Sequence, residues 1–331
     1  PRHHAAHLTM IRFFANAKYA FIAHRRQAYI VTAVLFVVGL AALIGVGIHQ
    51  SIEFTGGTLV QFKTTAPVDV EKLRAGLDAA GLKGAEIQRF GGDNEYAVRA
   101  RTAVEGSKTD DTQATTKAVN AAIEAVVGAG GFTPGSGEAV SPKVGAELKT
   151  QALMAIMLSF LGVLAYLAYR FEWRFGLAAV LATAHDIVLT ICFIAVARIE
   201  LSLVVVAAVL SMVGYSLNDT IIIFDRVREN LHKYRRNQLV EVLNRSINET
   251  LPRSVLTHVT TLSTLLALTI FAGEVIRPFA LVMFFGVFTG TFSSIFIAAP
   301  LLRMIEQKWP GVDGRGVKVK PKTVRSTVPQ V

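Results

Sequence analysis

Three charged side chains stand where charge is least expected. Asp186, Asp219 and Arg253 each lie within, or at the edge of, long runs of apolar residues. Insertion of such a group into a bilayer costs about 2.5–3.5 kcal/mol, so those that persist usually serve a purpose. The sequence around Asp219 gives it polar company. Ser211, Tyr215 and Asp219 follow i, i+4, i+8 with Asn218 alongside, and Arg253, Thr257, Thr261 and Thr264 follow i, i+4, i+8, i+11. On a helix each set forms one polar stripe. Two antiparallel helices carrying these stripes would enclose a hydrated seam in which Asp219 meets Arg253. Burial favours a neutral carboxyl and an adjacent guanidinium favours an ionised one, so relative movement of the two groups would load and unload a proton. A static buried ion pair, or polar adhesion between helices, is the plainer alternative. Asp186, preceded by His185, is a second candidate for proton handling, and Asn218 a third. His185 reads equally as a relay member or as a packing residue. Asp225 and Arg226 read as a charge pair at a membrane exit.

The elements that must position these residues are apolar blocks. They run Ala28–Ile48, Ala152–Tyr169, Phe175–Ala197, Leu201–Phe224, Ser254–Ala272 and Pro278–Leu302. Each is long enough to cross about 30 Å of hydrocarbon at about 1.5 Å per residue. Composition agrees: 52% of the 331 residues are hydrophobic and 18% charged, against about a quarter charged in soluble domains. The first block is longer than a signal-peptide core and no small-residue cleavage site follows, so it reads as a retained anchor. Residues 8–22, with Met10, Phe13, Phe14 and Phe21 among Arg12 and Lys18, suit either a helix at the interface or an unstructured lead-in.

Basic residues gather in one set of short loops. These hold Arg25 and Arg26, then Arg170 and Arg174, then Arg226 to Arg236, then Arg303 and Lys308. The opposite loops hold little beyond Arg198, Glu200, Glu274 and Arg277. The positive-inside rule places both termini in the cytoplasm. The net charge of +10 then reflects topology and anionic lipid rather than nucleic acid. Residues 51–147, with 10 basic and 13 acidic side chains, face the outer compartment.

That outer segment reads as strand (Gly57–Phe62), helix (Asp69–Ala80), hairpin (Ala85–Phe90 and Tyr96–Arg101), helix (Asp111–Val127) and a last strand around Glu138–Val144. The order βαββαβ is ferredoxin-like. The expected fold class is therefore an α-helical membrane protein of six spans with a small α+β ferredoxin-like extracytoplasmic domain. Its parts would be an N-terminal segment (1–27), a first span (28–48), the outer domain (49–151), a five-helix region (152–302) and a basic tail (303–331). Gly286, Gly290 and Ser294 form a small-residue line for close helix approach. Neither a nucleotide loop nor metal-ligand spacing is evident, His3, His4 and His7 being crowded at the very start, and no cofactor beyond the proton is expected. Cys192 is the single cysteine.

Three motifs sharpen this reading. Phe54-Thr-Gly-Gly-Thr58 follows the first span, and Val144-Gly-Ala-Glu-Leu148 precedes the second. Tyr215-Ser-Leu-Asn-Asp-Thr-Ile-Ile-Ile-Phe-Asp-Arg-Val-Arg-Glu-Asn230 fills the end of the fourth. Together they resemble the signatures of the SecF family, within the RND superfamily, over about Arg12 to Trp309. The resemblance implies a non-enzymatic subunit of the bacterial inner membrane. With SecD it would use the proton-motive force to promote preprotein translocation through SecYEG, with the YidC insertase as a further partner. It implies proton transport at Asp219 and Arg253, and a bundle that is half of a twelve-helix unit completed by SecD. The alternatives are half of an RND-type exporter of small molecules or lipids, for which the outer segment is small, and a purely structural translocon subunit.

Overall fold

The computed structural model describes residues 17–82, 85–89, 92, 94–100, 112–140, 142–273 and 275–310. Among them six helices are long and apolar enough to cross a membrane, and the chain is a multi-pass membrane protein. The first spanning helix is α1 (Arg25–Gly45). A single turn, α2 (Ile52–Thr55), then leads into a four-stranded domain. The remaining spans are α5 (Pro142–Arg170), α6 (Trp173–Val196), α7 (Leu203–Lys233), α8 (Leu239–Phe271) and α9 (Arg277–Ser293). A π-helical turn, Ser294–Ala298, carries the last of these into α10 (Ala299–Lys308).

The domain between α2 and α5 runs β1 (Gly57–Thr64), α3 (Val70–Ala79), β2 (Glu86–Arg89), β3 (Glu95–Ala100), α4 (Thr112–Val127) and β4 (Phe132–Val140). Its strands lie in the order β2-β3-β1-β4, every neighbouring pair antiparallel. This is the ferredoxin-like arrangement expected from the βαββαβ order. Alternation explains it: Val60 and Phe62 on β1 and Tyr96 and Val98 on β3 bury side chains against Leu73, Leu77, Val119 and Ile123 of the two helices. Asp69 caps α3 by accepting from the Glu71 amide at 3.1 Å, as expected of an acid at a helix start. The last strand lies earlier than the sequence suggests. Pro134 fits because β4 is an edge strand, and Val144 already belongs to α5.

Gly56 and Gly57 join α2 to β1 with φ of 73° and 126°, conformations that side chains resist. A Cβ on Gly57 would also stand 3.0 Å from the Ala100 carbonyl. The glycine pair is thus a structural joint between membrane and sheet.

Helices α7 and α8 outrun their apolar blocks on the side away from the sheet. Helix α7 continues to Lys233 and α8 begins at Leu239, so a helical hairpin projects from the end opposite the sheet. Asn230 and Ser246 bond across it at 3.0 Å. The reading of residues 8–22 as a helix changes where it can be seen: residues 17–20 lack regular structure and Phe21–His24 is one 3-10 turn. Asn244 and Asn248 of α8 hold its backbone, accepting from the Ile22 and Tyr19 amides at 3.0 and 2.9 Å. Residues 8–16, the histidine cluster, Glu274 and residues 311–331 of the basic tail lie outside the described residues, while residues 303–308 continue α10.

Candidate functional site

Helix α7 passes through the centre of the bundle, and its burial pattern divides into three zones. Val205, Ala208, Val209 and Met212 pack at the sheet end with Ile194, Val282 and Val287. Ile223, Phe224 and Val227 pack at the other end with Phe175, Leu243, Ile247 and Leu302. Between these clusters lie Ser216 and Asp219. Asp186 of α6 sits between the same two zones, so both carboxyl groups share the middle of the bundle.

The two carboxyl groups are 3% and 0% exposed at Asp219 and Asp186, and each is held by hydroxyls. Ser254 of α8 donates to Asp219 Oδ1 at 2.6 Å. Ser294, at the first position of the π turn, donates to Asp219 Oδ2 at 2.7 Å. Ser216 of α7 donates to Asp186 Oδ2 at 2.5 Å, and His185 Nδ1 lies 2.8 Å from Asp186 Oδ1. With the carboxylate accepting, Nδ1 carries the hydrogen; Nε2 of the same ring is buried without a hydrogen-bond partner. Phe36 of α1 meets that ring edge-on at 5.3 Å between centroids.

The two polar stripes touch at Tyr215, while Ser211, Arg253, Thr257 and Thr264 are exposed. Tyr215 Oη lies 2.6 Å from Thr261 Oγ1 and donates to the Thr257 carbonyl at 3.2 Å. His258 packs edge-on against the Tyr215 ring and lies 2.5 Å from the Ser254 carbonyl. Asp219 takes its hydrogen bonds from Ser254 and Ser294, while Arg253 is exposed. Arg253, Asn218 and Asp219 line one small cavity of about 70 Å³ with Tyr215, Thr257 and His258. The arginine therefore shares a water-sized space with the carboxylate.

Helix geometry near Asp219 is irregular on two sides. Pro252 lies inside α8, two residues before Ser254, and removes a backbone hydrogen bond there. On the other side the π turn begins at Ser294. Such turns gather at functional sites because they re-aim side chains by one position. Close approach of α9 to α7 depends on the small-residue line. A Cβ on Gly286 would meet Met212 Cγ at 2.1 Å, and one on Gly290 would meet Ser216 Cβ at 2.9 Å.

The sequence reading missed Ser216, Ser254 and Ser294 as carboxylate partners. Ser254 follows Arg253 directly, and in the sequence Ser294 reads as part of the small-residue packing line. Their signal was available in principle: each is a hydroxyl in an apolar run at the depth of an acid. Asp225 and Arg226 do not pair with each other. Arg170 reaches Asp225 at 2.7 Å, and Arg226 reaches Glu249 and Glu229 at 2.6 Å each. Adjacent residues on a helix point about 100° apart, so each finds a different neighbour. Among the described residues no group of three or more His, Cys, Asp or Glu side chains could hold a metal ion.

Comparison with known proteins defines the class first. Residues 119–308 match the family described as protein export membrane protein SecD/SecF, C-terminal, and residues 41–68 match the SecD/SecF GG motif. The second match centres on Gly56 and Gly57. The SecF subunit of the protein translocase from Gemmatimonas aurantiaca is 52% identical over 307 residues, covering 92% of each chain. That from Calditerrivibrio nitroreducens is 38% identical over 291 residues, covering 86% of this chain and 93% of the relative. The crystal structure of SecDF from Thermus thermophilus superposes with a TM-score of 0.78 at 34% identity, over 89% of this chain. A SecDF structure described as a super-membrane-facing form superposes with a TM-score of 0.64. The chain spans 40% of the length of those SecDF chains. It belongs to the SecF family of protein translocase subunits.

Proposed function

We propose that this subunit, together with SecD, uses the proton-motive force to promote preprotein translocation across the inner membrane, with Asp219 as the group that takes up and releases the proton. The observation that carries the proposal is a carboxyl group buried at mid-bundle, beside a small cavity that an exposed arginine also lines. Hydroxyls are suited to hold such a group. A serine donates to the ionised form and can turn to accept from the protonated one, so neither state need be left without a partner. Arg253 supplies the positive charge whose distance from Asp219 would set the balance between the two states. Asp186 and His185 form a second site at similar depth, with Ser216 on α7 linking it to the helix that carries Asp219.

Orientation follows the charge of the loops. Both termini and the α7–α8 hairpin would face the cytoplasm and the sheet domain the outer compartment. Exposed Ser211 and Asn218 on α7 and exposed Arg253, Thr257, Thr260 and Thr264 on α8 form an outward polar strip on membrane-spanning helices. Hydrocarbon is a poor neighbour for that strip, and SecD is the partner that would cover it. SecYEG, YidC and an unfolded preprotein complete the expected assembly.

A static role is favoured by one observation, the hydrogen bond made by each Asp219 oxygen. The test is preprotein translocation into vesicles, with and without a proton gradient, for Asp219→Asn and Arg253→Met proteins assembled with SecD. The proposal expects normal assembly and loss of the gradient-dependent component in both. Full gradient-dependent export by assembled Asp219→Asn protein would favour the static role.

A further inference from the structure

At the sheet-bearing end of the bundle, away from the carboxylates, a second cavity of about 210 Å³ opens between the segment joining α1 to α2, α2 itself, α5, α6 and α7. Its walls are apolar, with Phe54 from α2, Leu153 and Ile156 from α5, Ile191 from α6 and Val206 from α7, while its rim carries Gln50 and Lys149. The rim and the wall are ordered along the membrane normal. From Lys149 to Ile156 is about 10 Å of helix axis, which is less than half the thickness of a hydrocarbon core of about 30 Å. Polar groups thus stand at headgroup level, with an apolar slot below them inside one leaflet. Leu153 is 58% exposed, so the slot opens on the outward face of α5, where membrane lies.

We infer that this cavity binds the headgroup-proximal half of one acyl chain of an anionic phospholipid, with the Lys149 ammonium on its phosphate. The charge argument selects the lipid class. Lys149 is the one charged side chain lining the cavity. Its nearest polar partner is Gln50 Oε1 at 3.4 Å, and it forms no ion pair among the described residues. An ammonium with open donors at an interface recognises a phosphate as a point charge. The apolar walls give the chain the dispersion contacts that an empty slot would forfeit. A lipid seated there touches α5, α6 and the residues leading to α2 together, and so bridges the membrane bundle and the base of the sheet domain. The inference depends on membrane embedding alone and stands apart from the proton reading.

The test is native mass spectrometry of the full-length chain released from detergent after titration with phosphatidylglycerol or phosphatidylcholine. Wild-type protein is expected to retain phosphatidylglycerol in preference. Lys149→Gln should reduce that retention about fivefold, the scale of one lysine at an anionic surface. Ala152→Phe, at a half-buried cavity position, should reduce retention of both lipids without lowering the melting temperature. Equal retention of the two lipids by wild type would overturn the inference. So would undiminished phosphatidylglycerol on either variant, or occupation of the cavity by an apolar peptide with lipid excluded.

Discussion

Asp219 is a residue whose neighbours define what it can do. Its two oxygens accept from two serines on two different helices, so its ionised form is spread over α7, α8 and the turn after α9. Ser294 has a second acceptor, the Thr291 carbonyl at 3.0 Å. Its hydroxyl can therefore turn from the carboxylate to that carbonyl, as the proposed proton uptake would require. Ser294→Ala removes this donor and leaves one buried carboxylate oxygen without a hydrogen bond, a loss of about 1–3 kcal/mol. The expected outcome is a lower melting temperature in detergent and a several-fold slower gradient-driven export. Ser294→Thr, which restores the hydroxyl, should recover both. Asp186→Asn addresses the second site. If His185 and Asp186 serve proton movement, this variant should assemble with SecD yet export more slowly under a gradient; loss of assembly itself would mark Asp186 as a packing residue.

At the scale of elements, two close contacts carry most of the geometry. Helices α7 and α9 approach through Gly286 and Gly290, which brings Ser294 within reach of Asp219. Gly290→Leu would push against Ser216 and separate the helices. A drop in melting temperature and weakened co-purification with SecD are expected, since overpacking a tight contact costs about 1–3 kcal/mol. The sheet domain is fastened to the bundle by Arg99 of β3. Its guanidinium contacts Glu200 in the α6–α7 turn and Glu86 on β2, and donates to the Gln50 carbonyl at 3.0 Å. Arg99→Met should leave both parts folded but speed hydrogen exchange at residues 198–203. Within the domain, Lys63 at 2.8 Å holds the Glu95 carboxyl below its usual value, through a hydrogen bond and charge. A depressed carboxyl stabilises the fold above its unfolded value and loses that contribution as pH falls through the folded one. The melting temperatures of wild type and Lys63→Met should therefore converge in acid; the difference at neutral pH is small because the pair is exposed.

For the whole molecule, the apolar blocks and the βαββαβ order were legible because each depends on a local period. A run of about twenty apolar residues such as Phe175–Ala197 needs no partner to be recognised. The alternation from Val60 to Phe62 likewise marks a buried sheet face without reference to its neighbours. What remained hidden depends on rotation about helix axes. Arg253 and Ser254 are adjacent in sequence, yet their side chains leave the helix about 100° apart, and only Ser254 turns inward. A one-residue displacement of that kind lies below what a stripe of i, i+4 positions can resolve. The π turn at Ser294 was also illegible, since it shifts register without any change in apolar pattern. Six spans with a polar outward strip leave the bundle with a face suited to another protein. The central claim, that Asp219 carries the proton, is tested most directly by proton flux in sealed vesicles containing the subunit assembled with SecD. The account predicts that Asp219→Asn protein abolishes flux under an imposed gradient while assembling as wild type does. Flux at the wild-type rate through assembled Asp219→Asn protein would contradict it.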